Sequence, residues 1–189
     1  MSSGIATAPG GARRWLILDR DGVINHDSDA YIRRPDEWQP IDGALDALAR
    51  LHRAGFGLTV ATNQSGIGRG YFDVAALDAI HAKMRAAIEA AGGHVTAVAY
   101  CPHRPDAGCD CRKPAPGLLL RLMTQCGFAP GNAVMVGDAE RDLEAARGAG
   151  VAGLVVGERA TELAQTFGVS GFADLAAAAD WLLGGHWPC

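Results

Sequence analysis

Trp15-Leu16-Ile17-Leu18-Asp19-Arg20-Asp21-Gly22-Val23-Ile24-Asn25 is the stretch whose reading decides the fold. Its apolar run is what a strand covered on both faces requires, and it stops at two carboxylates one residue apart. Alternate side chains of extended backbone share a face, so Asp19 and Asp21 are expected on one side of the strand's carboxyl end. Two acids held that close repel, and a bound cation or a shared proton relieves the repulsion. Asp-Gly is also an ordinary turn dipeptide, so the stretch alone favours a functional pair over a plain strand end by only about two to one.

Outward from this strand the pattern repeats. Phe56 to Ala61 reads as a second strand delivering Thr62-Asn63-Gln64-Ser65, and Val95 to Tyr100 as a third that runs into a Cys/His cluster. Ala133 to Val136 is a fourth, ending in Gly137-Asp138, and Val151 to Val156 a fifth. Helical periodicity lies between them. Asp42 is expected to cap a helix with Leu45, Leu48 and Leu51 on one face, and Asp73 one with Leu77, Ile80, Met84 and Ile88. Pro116-Gly117 opens a helix that Gly127 closes; Glu140 to Ala149 and Asp174 to Leu183 complete the set. Gly66, Gly68 and Gly70 suggest a flexible loop. Asn25 to Gln39 reads as surface loop, with Tyr31 and Trp38 either touching a ligand or covering the core edge. Such alternation predicts an α/β fold, a three-layer Rossmann-like parallel sheet with helices on both faces. Ligands of such sheets gather beyond the carboxyl ends of the strands, where every polar cluster above falls.

The 189 residues, 49% hydrophobic and 20% charged, suit one domain with a sizeable core. Residues 1–14 read as a flexible tail and 15–189 as a single domain. No segment has the apolar core of a signal peptide, and none approaches the roughly 20 residues of a membrane helix. A cytoplasmic protein without a membrane partner is expected. A net charge of −4 leaves no basic footprint, so nucleic acid is not an expected partner, whereas a small phosphorylated ligand needs only a local positive pocket. A monomer is expected.

Phosphoryl transfer asks for a nucleophile, a divalent cation, donors around the equatorial oxygens and a proton-transfer group. Asp19-x-Asp21, Thr62-Asn63, Lys113 before a helix, and Asp138 with Asp142 can supply them. Carboxylates form aspartyl-phosphates, and magnesium takes one or two hard carboxylate ligands. Cys101-Pro-His103 and Cys109-Asp-Cys111 offer three thiolates and an imidazole, a closed tetrahedral set for structural zinc; free buried cysteines are the alternative. Such a zinc-bound loop would pin Arg112 and Lys113.

The order of strand-DxDG, strand-TN, Lys-Pro and strand-GDxxxD resembles the haloacid dehalogenase superfamily of phosphatases over nearly the whole ordered chain. The resemblance implies Asp19 as nucleophile and Asp21 as the acid and base. It implies Thr62, Asn63 and Lys113 around the phosphoryl group, with Gln64 and Ser65 beside them. Mg2+ would lie on Asp19, Asp138 and the Asp21 main-chain carbonyl, with Asp142 as a brace. With Zn2+ on Cys101, His103, Cys109 and Cys111, the chain is similar to the heptose bisphosphate and histidinol-phosphate phosphatase family. That implies a small phosphorylated sugar as substrate, no large cap domain, Arg112 on a second phosphate, and a role in surface-polysaccharide precursor synthesis. Val23, Ala139 and the short segment between His103 and Cys109 depart from the family pattern and bear on substrate choice. A receiver-like domain and a non-catalytic zinc-binding module are the readings from other classes.

Overall fold

β1 (Trp15–Leu18) is buried along its whole length, as a central parallel strand must be. The computed structural model describes residues 12–188. Most of the tail expected over 1–14 lies outside the described residues, as does Cys189. Arg13 and Arg14 are docked instead: the Arg13 guanidinium donates to the carbonyls of Gly55 (2.9 Å) and Phe56 (2.8 Å), and Arg14 stacks on Trp187.

After β1 come α1 (Ala44–Arg53), β2 (Gly57–Asn63), α2 (Ser65–Gly68), α3 (Val74–Ala90) and β3 (Ala97–Cys101). α4 (Gly117–Cys126), β4 (Ala133–Gly137), α5 (Glu140–Ala149), β5 (Ala152–Val156), α6 (Ala160–Phe167), β6 (Ser170–Phe172) and α7 (Leu175–Leu183) follow. All sheet pairings are parallel and the strand order is β3-β2-β1-β4-β5-β6. The chain order reverses direction across the sheet between β1 and β4, which is where ligand crevices open in doubly wound folds. A receiver's order, 2-1-3-4-5, is excluded.

Parity along β1 sorts the two layers. Leu16 and Leu18 pack with Leu58, Val60, Val134 and Val136 under α1, α3 and α7. Trp15 and Ile17 pack with Ala61 and Met135 under α4 and α5. The ladder runs one residue past the strand, with the Asp19 amide donating to the Val136 carbonyl at 2.9 Å. Asp19 therefore continues the Trp15–Ile17 side, the layer that carries α4 and α5.

Several expectations are corrected. Gly43, at φ 79°, stands at the amino end of α1 where Asp42 was expected to cap, because the chain enters from a turn that only glycine tolerates well. Thr62 and Asn63 lie inside β2, paired with Tyr100 and Cys101, rather than after it. Gly66 and Gly68 lie in the short helix α2 and Gly70 in the turn after it, and Gly66 is there for close packing: a Cβ would sit 2.2 Å from the Phe72 ring. Trp38 is core, its Nε1 donating to Asn25 Oδ1 at 2.9 Å, while Tyr31 faces a cleft. Asp73 and Asp174 cap α3 and α7 through their side chains. α6 and β6 had no counterpart in the sequence reading. Among the described residues no helix is long and apolar enough to cross a membrane. Among the described residues no insertion between these elements forms a large cap.

Candidate active site

The carboxyl ends of β1, β2 and β4 and the turn before α4 meet at one crevice. Lys113 lies at its floor with its side chain fully buried. Its Nζ is 3.0 Å from Asp19 Oδ1 and 2.7 Å from Asp142 Oδ1, and donates to the Ala61 carbonyl at 2.7 Å. An unpaired ammonium at this depth would cost several kcal/mol, so the two acids are a condition of its burial. Burial works against its charge, but Asp142 and Asp19 outweigh it and hold its pKa above the ordinary value. Asp142 is engaged on both oxygens, since Oδ2 accepts from the Ala139 amide at 3.2 Å and ties down the start of α5.

Negative charge remains in excess. Asp19, Asp138 and Asp142 each offer an oxygen within 4.8 Å of the others, against one buried ammonium. Burial raises Asp19 to about 7, with Asp142, Asp21 and Asp138 adding to the rise and Lys113 opposing it. Burial and Asp142 lift Asp138 to about 6, against the pull of Arg141 and Lys113. Asp138 Oδ1 is buried with no hydrogen-bond partner. Gly22, at φ 79°, lies so close that a Cβ would be 2.1 Å from Asp138 Oδ2, which brings the Asp21–Gly22 backbone onto that carboxylate. An orphaned carboxylate oxygen, a second buried acid and an adjacent main chain are a donor set that suits a hard divalent cation.

Asp21 points elsewhere. Buried Arg20 holds it through Nε (3.0 Å) and Nη2 (2.8 Å to each oxygen), and Asn25 (2.8 Å) and Gln64 (3.0 Å) donate to it as well. Gln64 also donates to Thr62 Oγ1 at 2.8 Å. Asp19, Asp21, Thr62, Asn63, Gln64, Arg112 and Arg141 line a cleft of about 250 Å³, whose other wall is Asp27 to Ile32. Asn63 spends its amide on the Lys113 backbone, donating to its carbonyl (2.9 Å) and accepting from its N–H (3.1 Å). It is a clip as much as a cleft residue. Ser65 opens α2, is buried, and does not line the cleft.

Two arginines escaped the sequence reading. Arg20 looked like a spacer between acids, and its clamp on Asp21 has no sequence signature. Arg141 sits on the first turn of α5, where a charge ordinarily faces solvent, yet its Nη2 lies 3.9 Å from Asp19 Oδ2 and 3.8 Å from Asp138 Oδ1. Its spacing of three from Asp138 is the one available hint.

The Cys/His loop forms a second cluster. Cys111 Sγ lies 3.2 Å from Cys101 Sγ and 3.5 Å from Cys109 Sγ, and Cys101 and Cys109 are 3.7 Å apart. His103 Nδ1 is 3.5 Å from Cys101 Sγ and 3.3 Å from Cys111 Sγ. A disulfide would bring sulfurs to about 2.05 Å, whereas a tetrahedron built on Zn–S bonds of about 2.3 Å has edges near 3.7 Å. The spacing fits a tetrahedral ion. Burial and the neighbouring Cys101 and Cys109 push the Cys111 thiol up to about 12, a repulsion that a bound cation would remove. Cys126 packs part-buried against the α4–α5 layer.

A model of the haloacid dehalogenase-like hydrolases matches residues 8–150. The chain belongs to this family of hydrolases. It is 49% identical over 174 residues to a D-glycero-β-D-manno-heptose-1,7-bisphosphate 7-phosphatase of Pseudomonas putida, covering 90% of this chain and 99% of the relative. The enzyme of the same name from Pseudomonas aeruginosa is 54% identical over 136 residues, 72% of this chain and 76% of its own. A crystal structure of D,D-heptose 1,7-bisphosphate phosphatase from B. bronchiseptica, complexed with magnesium and phosphate, superposes with a TM-score of 0.86 at 46% identity, covering 92% of this chain and 99% of that one.

Proposed function

We propose that the chain is a magnesium-dependent phosphatase that removes the 7-phosphate of D-glycero-D-manno-heptose 1,7-bisphosphate through an aspartyl-phosphate on Asp19. The observation that carries this reading is the convergence of Asp19, Lys113, Asp138 and Thr62 at the sheet's switch point, in a chain whose relatives bear that enzyme's name. Asp19 is the nucleophile: one of its oxygens bonds to phosphorus as the bond from phosphorus to the sugar oxygen breaks. Asp21, once released from the Arg20, Asn25 and Gln64 contacts that hold it in this structure, would give a proton to that departing oxygen. As a carboxylate it then takes a proton from water, whose oxygen displaces Asp19 and releases inorganic phosphate. Thr62 and Lys113 offset charge on the transferring group, and Asn63 holds Lys113 at its post. Magnesium on Asp19, Asp138 and the Asp21 carbonyl would keep both buried acids ionised and offset the phosphate's charge.

Arg112 lines the cleft with a buried Nη1 that has no hydrogen-bond partner, and it suits the phosphate that is not transferred. Zinc held by Cys101, His103, Cys109 and Cys111 fixes the loop that carries Arg112, and its closed ligand set leaves no position for catalytic water. The product belongs on the route to nucleotide-activated heptose for surface polysaccharide. A phosphate-release assay over both anomers of the heptose bisphosphate and over histidinol phosphate, with and without magnesium, tests the reading. The heptose bisphosphate should be turned over best and a magnesium chelator should stop it. Equal turnover of histidinol phosphate, or activity that survives chelation, would sink it.

A further inference from the structure

Chemistry at Asp19 makes no use of one wall of the cleft, Asp27 to Ile32. Tyr31 and Ile32 alone among the cleft-lining residues have a large apolar body; the others are acids, arginines, amides and small hydroxyl residues. Ile32 is only 5% exposed, so the apolar surface on this wall is chiefly the Tyr31 ring. Tyr31 stands at φ 64°, the one non-glycine residue at positive φ among those described. A ring-bearing residue keeps such a backbone angle only where its surroundings fix it. Here the Tyr31 amide donates to the Ser28 carbonyl at 2.9 Å, and its ring lies against that of Tyr71, with centroids 5.1 Å apart and planes at 58°.

Tyr71 comes from the turn after α2 and does not line the cleft. Arg33, from the same loop as Tyr31, holds its guanidinium 5.2 Å from the Tyr71 ring centroid while its Nε donates to the Ala30 carbonyl at 2.8 Å. Two residues of the loop therefore grip one ring from α2's turn. That ring is 48% exposed, too open for core packing to account for it.

We propose that Tyr31 is the residue against which the carbon face of the substrate's sugar ring lies, and that Tyr71, outside the cleft, is the positioning residue that holds Tyr31 there. The inference rests on the bisphosphatase reading above and adds to it a place for the part of the substrate between the phosphates. Asp27 and Asp29 on the same wall repel a phosphate and can accept hydrogen bonds from sugar hydroxyls, so this wall suits the uncharged part of the molecule. An apolar ring among a few polar groups gives a ligand both its contact area and its orientation.

The test sets heptose 1,7-bisphosphate against pentane-1,5-diyl bisphosphate, which spaces two phosphates by as many chain atoms, offers a primary alcohol as leaving group, and lacks the ring. The wild-type preference for the sugar, as a ratio of kcat/KM values, should fall about tenfold in Tyr31→Ala and about threefold to tenfold in Tyr71→Ala, mostly through KM. Tyr71→Phe keeps the ring and should keep the ratio. Because Tyr71 acts through Tyr31, the double alanine variant should fall no further than Tyr31→Ala alone. A wild-type ratio in Tyr71→Ala, or losses that add in the double variant, would overturn the role of Tyr71. A preference that survives Tyr31→Ala would overturn the sugar contact, as would a wild type that turns over both substrates equally, and in both cases the phosphatase chemistry would stand. A wild type that does not hydrolyse heptose 1,7-bisphosphate would overturn this proposal and the bisphosphatase reading together. Circular dichroism of each variant confirms that the ratio is read on folded protein.

Discussion

Two clusters of ionisable side chains lie on the same edge of the sheet and are built in opposite ways. The thiol and imidazole groups of Cys101, His103, Cys109 and Cys111 come from the end of β3 and the one short loop after it, and lie mutually close. The carboxylates of Asp19, Asp138 and Asp142 come from the ends of two strands and from a helix, with a cleft beside them and Asp138 Oδ1 unspent. Soft donors that use every position on their ion can hold chain in place. Hard donors that leave positions free, next to a nucleophile, can handle substrate. On the proposed reading, local assembly serves architecture here and long-range assembly serves chemistry.

The sharpest way to break this contrast is Asp19→Asn. A neutral amide cannot attack phosphorus, so phosphate release should fall by about 10⁴-fold or more while the near-ultraviolet circular dichroism stays native. Retained turnover would show that the open cluster is not where the chemistry happens. A smaller effect is expected from the closed cluster. Cys109→Ser should abolish stoichiometric zinc in elemental analysis, speed hydrogen exchange across 101–112, and lower kcat/KM by up to about a hundredfold through a misplaced Arg112, while Asn63 keeps Lys113 in place. Full activity with no zinc bound would mean the loop holds its shape unaided.

The smallest effect is on pH. Asp19, at about 7, and Asp138, at about 6, both lie above the ordinary carboxylate value of about 4. Between those limits these two acids bind more protons in the folded metal-free chain than in the unfolded one and lower its stability as pH rises, while buried His81, held down to about 3, opposes part of that fall below about pH 6.5. Thermal melts of magnesium-free protein should therefore drop from pH 5 to pH 7.5, by a few degrees. Added magnesium, which competes with those protons, should raise the melting point more at the upper end than at the lower. An increment that does not change with pH would separate the cation from these two acids.

Much of this was legible in the sequence because each strand announces its own end. Apolar runs stop at Asp19, Thr62 and Asp138, and a parallel sheet gathers such ends without further instruction. The pairings among them were not legible. Nothing in Asn63 says that its amide grips the Lys113 backbone, and nothing in Arg20 says that it holds Asp21 aside, since both depend on distances set by tertiary packing. Arg141 was hidden because a charge on a first helical turn is usually solvated. α6 and β6 were missed for lack of length: Ser170–Phe172 is a three-residue edge strand, too short to show a period.

The Asn63 clip has a consequence for how such enzymes diversify. Because it ties Lys113 to β2 by two hydrogen bonds, the exposed span between His103 and Cys109 can vary without moving that lysine. A Cβ at Gly108 would meet nothing within 4 Å, so the tip of this span projects into open space. Lengthening or trimming it should remodel the rim that greets the sugar while sparing the reaction, which makes this stretch the natural place for a lineage, or an engineer, to retune what the enzyme accepts.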